Sequence, residues 1–162
     1  MGNDQEFWSR PVREIMNSPV EMVHTKDSLH DAARLFTEHH IGAAVVENED
    51  GKPVGVITKS DLVRYEEEKD ETQTVNKKKD RSWMNGDDQP SGFHAVAEVE
   101  IVQNWMTPII FSVKPETSVT EIAQRMVKYG IHHIFVRGVS ADQILGIVSS
   151  FDILRMVASI HG

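Results

Sequence analysis

Apolar positions along the chain switch between two periods, and the switches recur in one order. Leu29, Ala32, Ala33 and Phe36 fall at i, i+3, i+4 and i+7, the spacing of one buried helix face. Ser28 precedes them with Asp31 three places on. That is capping-box spacing, although the box favours Glu or Gln at its second place. The helix should end near His39-His40. The apolar run Ala43-Ala44-Val45-Val46 then reads as a buried strand, and residues 47–51 as a polar turn ending in the hairpin signal Asp50-Gly51. Residues 53–57 form the second strand. A helix follows from about Ser60 into the charged run 66–71. Upstream, residues 12–16 read as a short helical turn broken by Ser18-Pro19, and 20–23 as a short extended piece.

The same order returns downstream. Residues 102–106 are a turn broken by Thr107-Pro108, and 109–113 an extended piece. Ser118 and Glu121 form a capping box ahead of Val119, Ile122, Ala123 and Met126. Ile134-Phe135-Val136 is a strand, 137–142 a turn, 144–148 a second strand, and a last helix runs from Ser150 towards Ile160. The sharpest echo is Gly55-Val56-Ile57-Thr58-Lys59-Ser60-Asp61 against Gly146-Ile147-Val148-Ser149-Ser150-Phe151-Asp152. Met16 and Met106 stand 90 places apart, as do Leu29 and Val119, whereas Asp61 and Asp152 stand 91 apart, so the second turn gained one residue. This is an internal duplication. Each unit is too small to bury much alone, so the halves should share a core. The expected division is a tail at 1–11, units at 12–65 and 102–160, and a charged linker or insertion at 66–101. The tail carries Phe7 and Trp8 as anchors. The linker carries Lys77-Lys78-Lys79 and an isolated Trp83, and re-enters order around Phe93, Val96, Val99 and Ile101.

Composition narrows the classes. The chain has 162 residues, 40% of them hydrophobic, which suits one compact domain or two very small ones. No apolar run reaches the length of a membrane span, and Met1-Gly2-Asn3-Asp4 lacks a secretory-signal pattern. With no cysteine, disulfides and thiolate metal sites are excluded, which fits a cytoplasmic setting. A net charge of −8 disfavours nucleic acid as the main partner. No GxSxG, GxGxxG or Walker loop is present, so no catalytic machinery is visible. His39-His40 and His132-His133 raise the question of a metal. Adjacent histidines do not share a helix face and no HExxH is present, so no metal site is assigned.

The doubled Met-Ser/Thr-Pro entry (Met16 to Pro19, Met106 to Pro108), the helix and the glycine-to-aspartate motif together resemble a tandem pair of cystathionine β-synthase (CBS) domains, a Bateman module. The resemblance implies an α/β fold of two pseudo-twofold-related β-α-β-β-α units packed through their sheets. It also implies adenosine compounds (AMP, ADP or ATP) bound between the units, and a homodimer. The sequence departs from the family in the long 66–101 segment, in Asn17 as an added residue in the first entry, and in Gly42-Ala43 standing opposite His132-His133.

On this resemblance Asp61 and Asp152 occupy the place of a ribose-binding carboxylate. Equally, each is well placed to cap a helix, and one residue can do both. Thr58 and Ser149 would bond ribose or phosphate, or the local backbone. Gly55 and Gly146 would admit a ligand or a packed neighbouring backbone. His132 and His133 match phosphate-facing positions, or each is simply a surface or core histidine; strand alternation would aim one of them at the cleft and the other at solvent or core. Lys59, Arg64, Arg137 and Arg155 are further phosphate candidates, against the simpler reading of each as a solvated surface charge. The function implied is a non-catalytic nucleotide sensor without a resident cofactor. The alternative is a dimeric interaction module with degenerate sites that docks a regulated protein partner through 66–101.

Overall fold

Alternation on the central strands decides how the two halves meet. The computed structural model describes residues 8–80 and 99–159. In the first half, β1 (Met22–His24) pairs in parallel with β2 (Ala43–Glu47), which pairs antiparallel with β3 (Pro53–Thr58). In the second half, β4 (Ser112–Val113), β5 (His133–Arg137) and β6 (Ile144–Ser149) repeat that sheet. All but the edge of β2 is buried, so its sequence runs continuously apolar and the pleat sorts its residues. Ala43 and Val45 face the partner sheet, where they join Val56, Phe135 and Ile147. Ala44 and Val46 face the helices, with Leu29, Ala32 and Phe36. The sheets therefore form the shared layer, with helices outside.

Those helices are α1 (Leu29–Glu38) and α2 (Lys59–Asp80) in the first half, then α3 (Val102–Trp105), α4 (Val119–Tyr129) and α5 (Ser150–Ala158). Ser28 Oγ accepts the Asp31 N–H at 3.0 Å, and Ser118 Oγ accepts that of Glu121 at 3.2 Å. The expected return bond at Ser118 is replaced by an ion pair, because Glu121 turns to Arg125 at 2.6 Å. The reciprocal box forms instead at Ser149 and Asp152.

The strand registers confirm the duplication and its single inserted residue. Glu47 pairs with Pro53 and Arg137 with Ile144, so the second turn is one residue longer. Asn17, by contrast, is not an addition. It exchanges backbone hydrogen bonds with Ile147 at 2.8 and 3.0 Å, as Thr107 does with Val56 at 2.9 Å both ways. The offset of 90 thus runs straight through the entries, and only the proline stands one place later in the first.

Each entry segment crosses to the other half. The entry turn Val12–Glu14 docks on the second unit, where Val12 N–H reaches Thr117 O at 2.8 Å and the Val12 side chain joins Val113, Val119 and Ile122. Val102 of α3 does the same in the first unit, bonding Asp27 O at 2.8 Å and packing with Val23, Leu29 and Phe36. Part of the expected tail is docked too: Arg10 O accepts the Val119 N–H at 2.9 Å, and Trp8 O the Thr120 hydroxyl at 2.8 Å. Residues 66–80, expected as linker, continue α2 to Asp80 and include Lys77 to Lys79. Phe7, Trp83, Phe93 and Val96 lie outside the described residues, whereas Ile101 bridges to Ser28 and Val99 is exposed.

Candidate ligand-binding clefts

The crossing entries border two clefts, which adjoin at Gly42, His132 and His133. Gly146 and Gly55 make the crossing possible. A Cβ on Gly146 would stand 2.6 Å from Met16 Sδ and 2.9 Å from Asn17 O, and one on Gly55 would stand 2.6 Å from Thr107 O. Of the two readings open for these glycines, the structure shows the packed backbone.

Immediately after each glycine the strand turns into a helix, and the motif's aspartate closes that turn. Asp61 Oδ2 accepts both the N–H and the hydroxyl of Thr58 at 2.8 Å, while its Oδ1 lies 3.2 Å from Arg64. Asp152 Oδ2 accepts the N–H and hydroxyl of Ser149 at 2.8 and 2.6 Å, with Arg155 at 3.5 Å from Oδ1. Both carboxylates are buried, which is tolerable because each is hydrogen-bonded and paired. The capping reading is therefore realised at both positions, and each Oδ1 keeps further acceptor capacity.

The two clefts differ. The larger, about 570 Å³, is bounded by Ser149, Asp152 and Arg155 on one side and by Asn17, Pro19 and Glu21 of the crossing entry on the other. The smaller, about 330 Å³, is bounded by Thr58, Lys59 and Ser60 and by Thr107, Ile109 and Phe111. Ser149 and Asp152 thus meet in the larger cleft, and Thr58 stands in the smaller. Asp61 does not line it, although its carboxylate makes the same contacts as that of Asp152.

His132 and His133 line both clefts, against the expectation that alternation would admit only one. The reason is that β5 begins at His133, so His132 lies in the loop ahead of the pleat. The His133 ring lies over Gly42, whose added Cβ would meet Nε2 at 3.1 Å. Burial, then the neighbouring charge of His132, hold its imidazole below the ordinary histidine range; Asp152 opposes this and Lys59 adds to it. Arg155 and Lys59 each reach a cleft, but Arg64 and Arg137 do not. Arg64 donates to Trp105 O and lies 5.5 Å over that indole, and Arg137 borders a separate surface hollow with Lys114.

Sequence reasoning missed the rims. His39, weighed only as a metal ligand, lines the larger cleft with its Nδ1 2.7 Å from Glu21 Oε1. The positions 90 residues later are Tyr129 and Phe111, whose rings lie 5.6 Å apart, with Phe111 on the wall of the smaller cleft. The repeat offset, applied to the helix ends rather than to the motifs, would have found both pairs. Among the described residues no group of three or more His, Asp or Glu side chains is arranged to hold a metal ion. No helix there is long and apolar enough to cross a membrane.

A family model for the CBS domain matches residues 12–68 and 96–159, and the chain belongs to that family as a tandem pair. An uncharacterized protein of Methanocaldococcus jannaschii, MJ1404, is 28% identical over 149 residues, which is 92% of this chain. The chain spans about a third of that relative's length, 32%. Among solved structures, the CBS domain pair of protein MJ0100 in complex with 5′-methylthioadenosine and S-adenosyl-L-methionine superposes with a TM-score of 0.66 at 23% identity. The match covers 92% of this chain and 96% of that one. CBSX2 in complex with AMP gives a TM-score of 0.68 at 19% identity, covering 94% and 99%. At these identities both show the shared fold.

Proposed function

We propose that the protein is a regulatory sensor that binds adenosine compounds in the clefts between its two units. The observation that carries this reading is the Ser149–Asp152 turn opening onto the larger cleft. There a half-engaged carboxylate, a hydroxyl and the start of α5 meet the loop 39–43 of the other unit. Asp152 Oδ1 has acceptor capacity for the adjacent hydroxyls of a ribose. Ser149, His132 and His133 stand where a phosphate would gain donors, and the helix start favours an anion. Thr58 offers the smaller cleft the same hydroxyl, with Asp61 oriented behind it. A ligand touching both units favours one mutual arrangement of them, which is how occupancy would become a signal. The ligands of MJ0100 and CBSX2 are consistent with this class.

The test is thermal unfolding with AMP, ADP, ATP and S-adenosylmethionine, repeated on Asp152→Ala and Asp61→Ala. A ligand at about 100 times its dissociation constant should add roughly 2.7 kcal/mol. Asp152→Ala should remove most of that shift and Asp61→Ala less. A folded protein that responds to none of them would overturn the reading.

We also infer a homodimer joined through α5. Phe151 and Leu154 are each 62% exposed and Val157 follows three places on, an apolar row on a short helix. Leu154→Glu should give monomers in sedimentation velocity; a monomeric parent protein would refute the dimer.

A further inference from the structure

The duplicated clefts have diverged where the ligand's outer end would lie. Glu21 stands where the other unit has Phe111, His39 where it has Tyr129, and His40 where it has Gly130. The larger cleft therefore collects four imidazoles, two from the end of α1 (His39, His40) and two from the start of β5 (His132, His133). The charged groups facing them are Arg155 of α5, Asp152 of the same helix, Glu21 of the crossing entry, and Lys59 of α2 near His133. Glu21 already lies against His39 at 2.7 Å, and Asp152 is held by Ser149. With every imidazole neutral, the ionised groups lining this cleft are two carboxylates and one guanidinium. Protonating two histidines reverses the sign. The smaller cleft shares His132 and His133, but its rim is Ile109 and Phe111 and no carboxylate lines it.

We propose that the larger cleft is a proton-assisted site for a nucleoside di- or triphosphate, its phosphate chain lying along His39, His40, His132 and His133. The smaller cleft takes a nucleoside or its monophosphate, with the base against the apolar rim. This rests on the nucleotide reading above and adds the ligand class of each cleft. Room supports the assignment, since the cleft that collects all four imidazoles is also the larger of the two. Chemistry supports it as well: imidazolium donates to phosphate oxygens and exists within the physiological range, so occupancy couples to proton uptake. An anion beside His133 would offset the burial that disfavours its protonated form.

The experiment is calorimetric titration of ATP, in EDTA, and of adenosine at about pH 8 and about pH 6. It compares the parent protein with a triple variant, His39→Gln, His40→Asn and His132→Gln. All three residues are exposed, and asparagine tolerates the positive φ of 53° at position 40. The parent should bind ATP on the order of tenfold more tightly at the lower pH. The triple variant should lose most of that gain, which separates it from titration of the terminal phosphate itself, near about pH 6. Adenosine, which carries no phosphate, should show no such gain at the lower pH in either protein. A gain that survives in the triple variant, or no gain in the parent, overturns the proposal. ATP binding lost on Lys59→Ala but not in the triple variant overturns it too, by placing the phosphates in the smaller cleft. If adenosine binds while ATP is indifferent to pH, only this inference fails. If neither ligand binds at either pH, the nucleotide reading fails with it.

Discussion

The two cleft rims set a polar pair against an aromatic one on the same backbone. In one, Glu21 and His39 meet at 2.7 Å across the entry; in the other, Phe111 and Tyr129 meet at 5.6 Å between ring centres. Behind each rim the structure barely changes: a hydroxyl and a backbone N–H converge on the motif aspartate at 2.6–2.8 Å in both. The pair teaches that duplication kept the part that holds the turn and released the rim. Chemistry can diverge there because rim side chains are exposed or half-exposed, so exchanging them costs little packing.

The largest expected effect comes from breaking the equivalence at the crossing glycines. Gly55→Ala drives a methyl group against a backbone oxygen at 2.6 Å, which cannot yield without moving the entry. It should cost about 3 kcal/mol in urea unfolding. Gly146→Ala meets the flexible Met16 thioether at 2.6 Å and a backbone oxygen only at 2.9 Å, so it should cost less. Equal costs would mean that the two crossings are equally rigid, contrary to these contacts.

A middle-sized effect is the acid response. His133 has a depressed value in the fold against 6.5 for the free side chain, so the unfolded chain takes up the proton first. Its contribution to stability is therefore intact above pH 6.5 and declines as pH falls below that value towards the folded one. Melting temperature without ligand should drop between about pH 7.5 and about pH 5.5, and His133→Gln should flatten the slope. An unchanged slope in the variant would remove His133 from the account.

The smallest effects belong to the rims. Phe111→Ala should cost about 1 kcal/mol for its ring contact and the part of the ring that is buried. Glu21→Gln, at an exposed pair, should cost less than about 1 kcal/mol. Denaturant titration would rank them, and the reverse order would show that the polar pair carries more of the fold than its exposure suggests.

Most of the element order was legible because helix and strand periods are local. Leu29, Ala32 and Phe36 announce their face whatever they pack against. The crossing of Val12 and Val102 was not legible, since a short turn with one buried valine reads the same whichever core receives it. Asn17 misled because the proline marks the entry in sequence, while the register is set by hydrogen bonds to Ile147. At the site, the motif residues were found by repetition. The motif alone does not tell the two aspartates apart: each carboxylate accepts the N–H and hydroxyl of its turn and lies near an arginine, yet only Asp152 lines a cleft.

The exchanged entries also bear on how the molecule comes into being. Val12 finds its partners only at Val113 to Ile122, most of the chain away, while Val102 must reach back to Val23 and Leu29. During synthesis the first unit would emerge without α3, its core open until the second entry arrives. Such distant closures cost loop entropy before any burial rewards them, which slows folding. Each core thus takes one wall from the other half's entry, so a fragment holding either unit alone would lack a wall. Supplying the missing entry as a peptide should restore it.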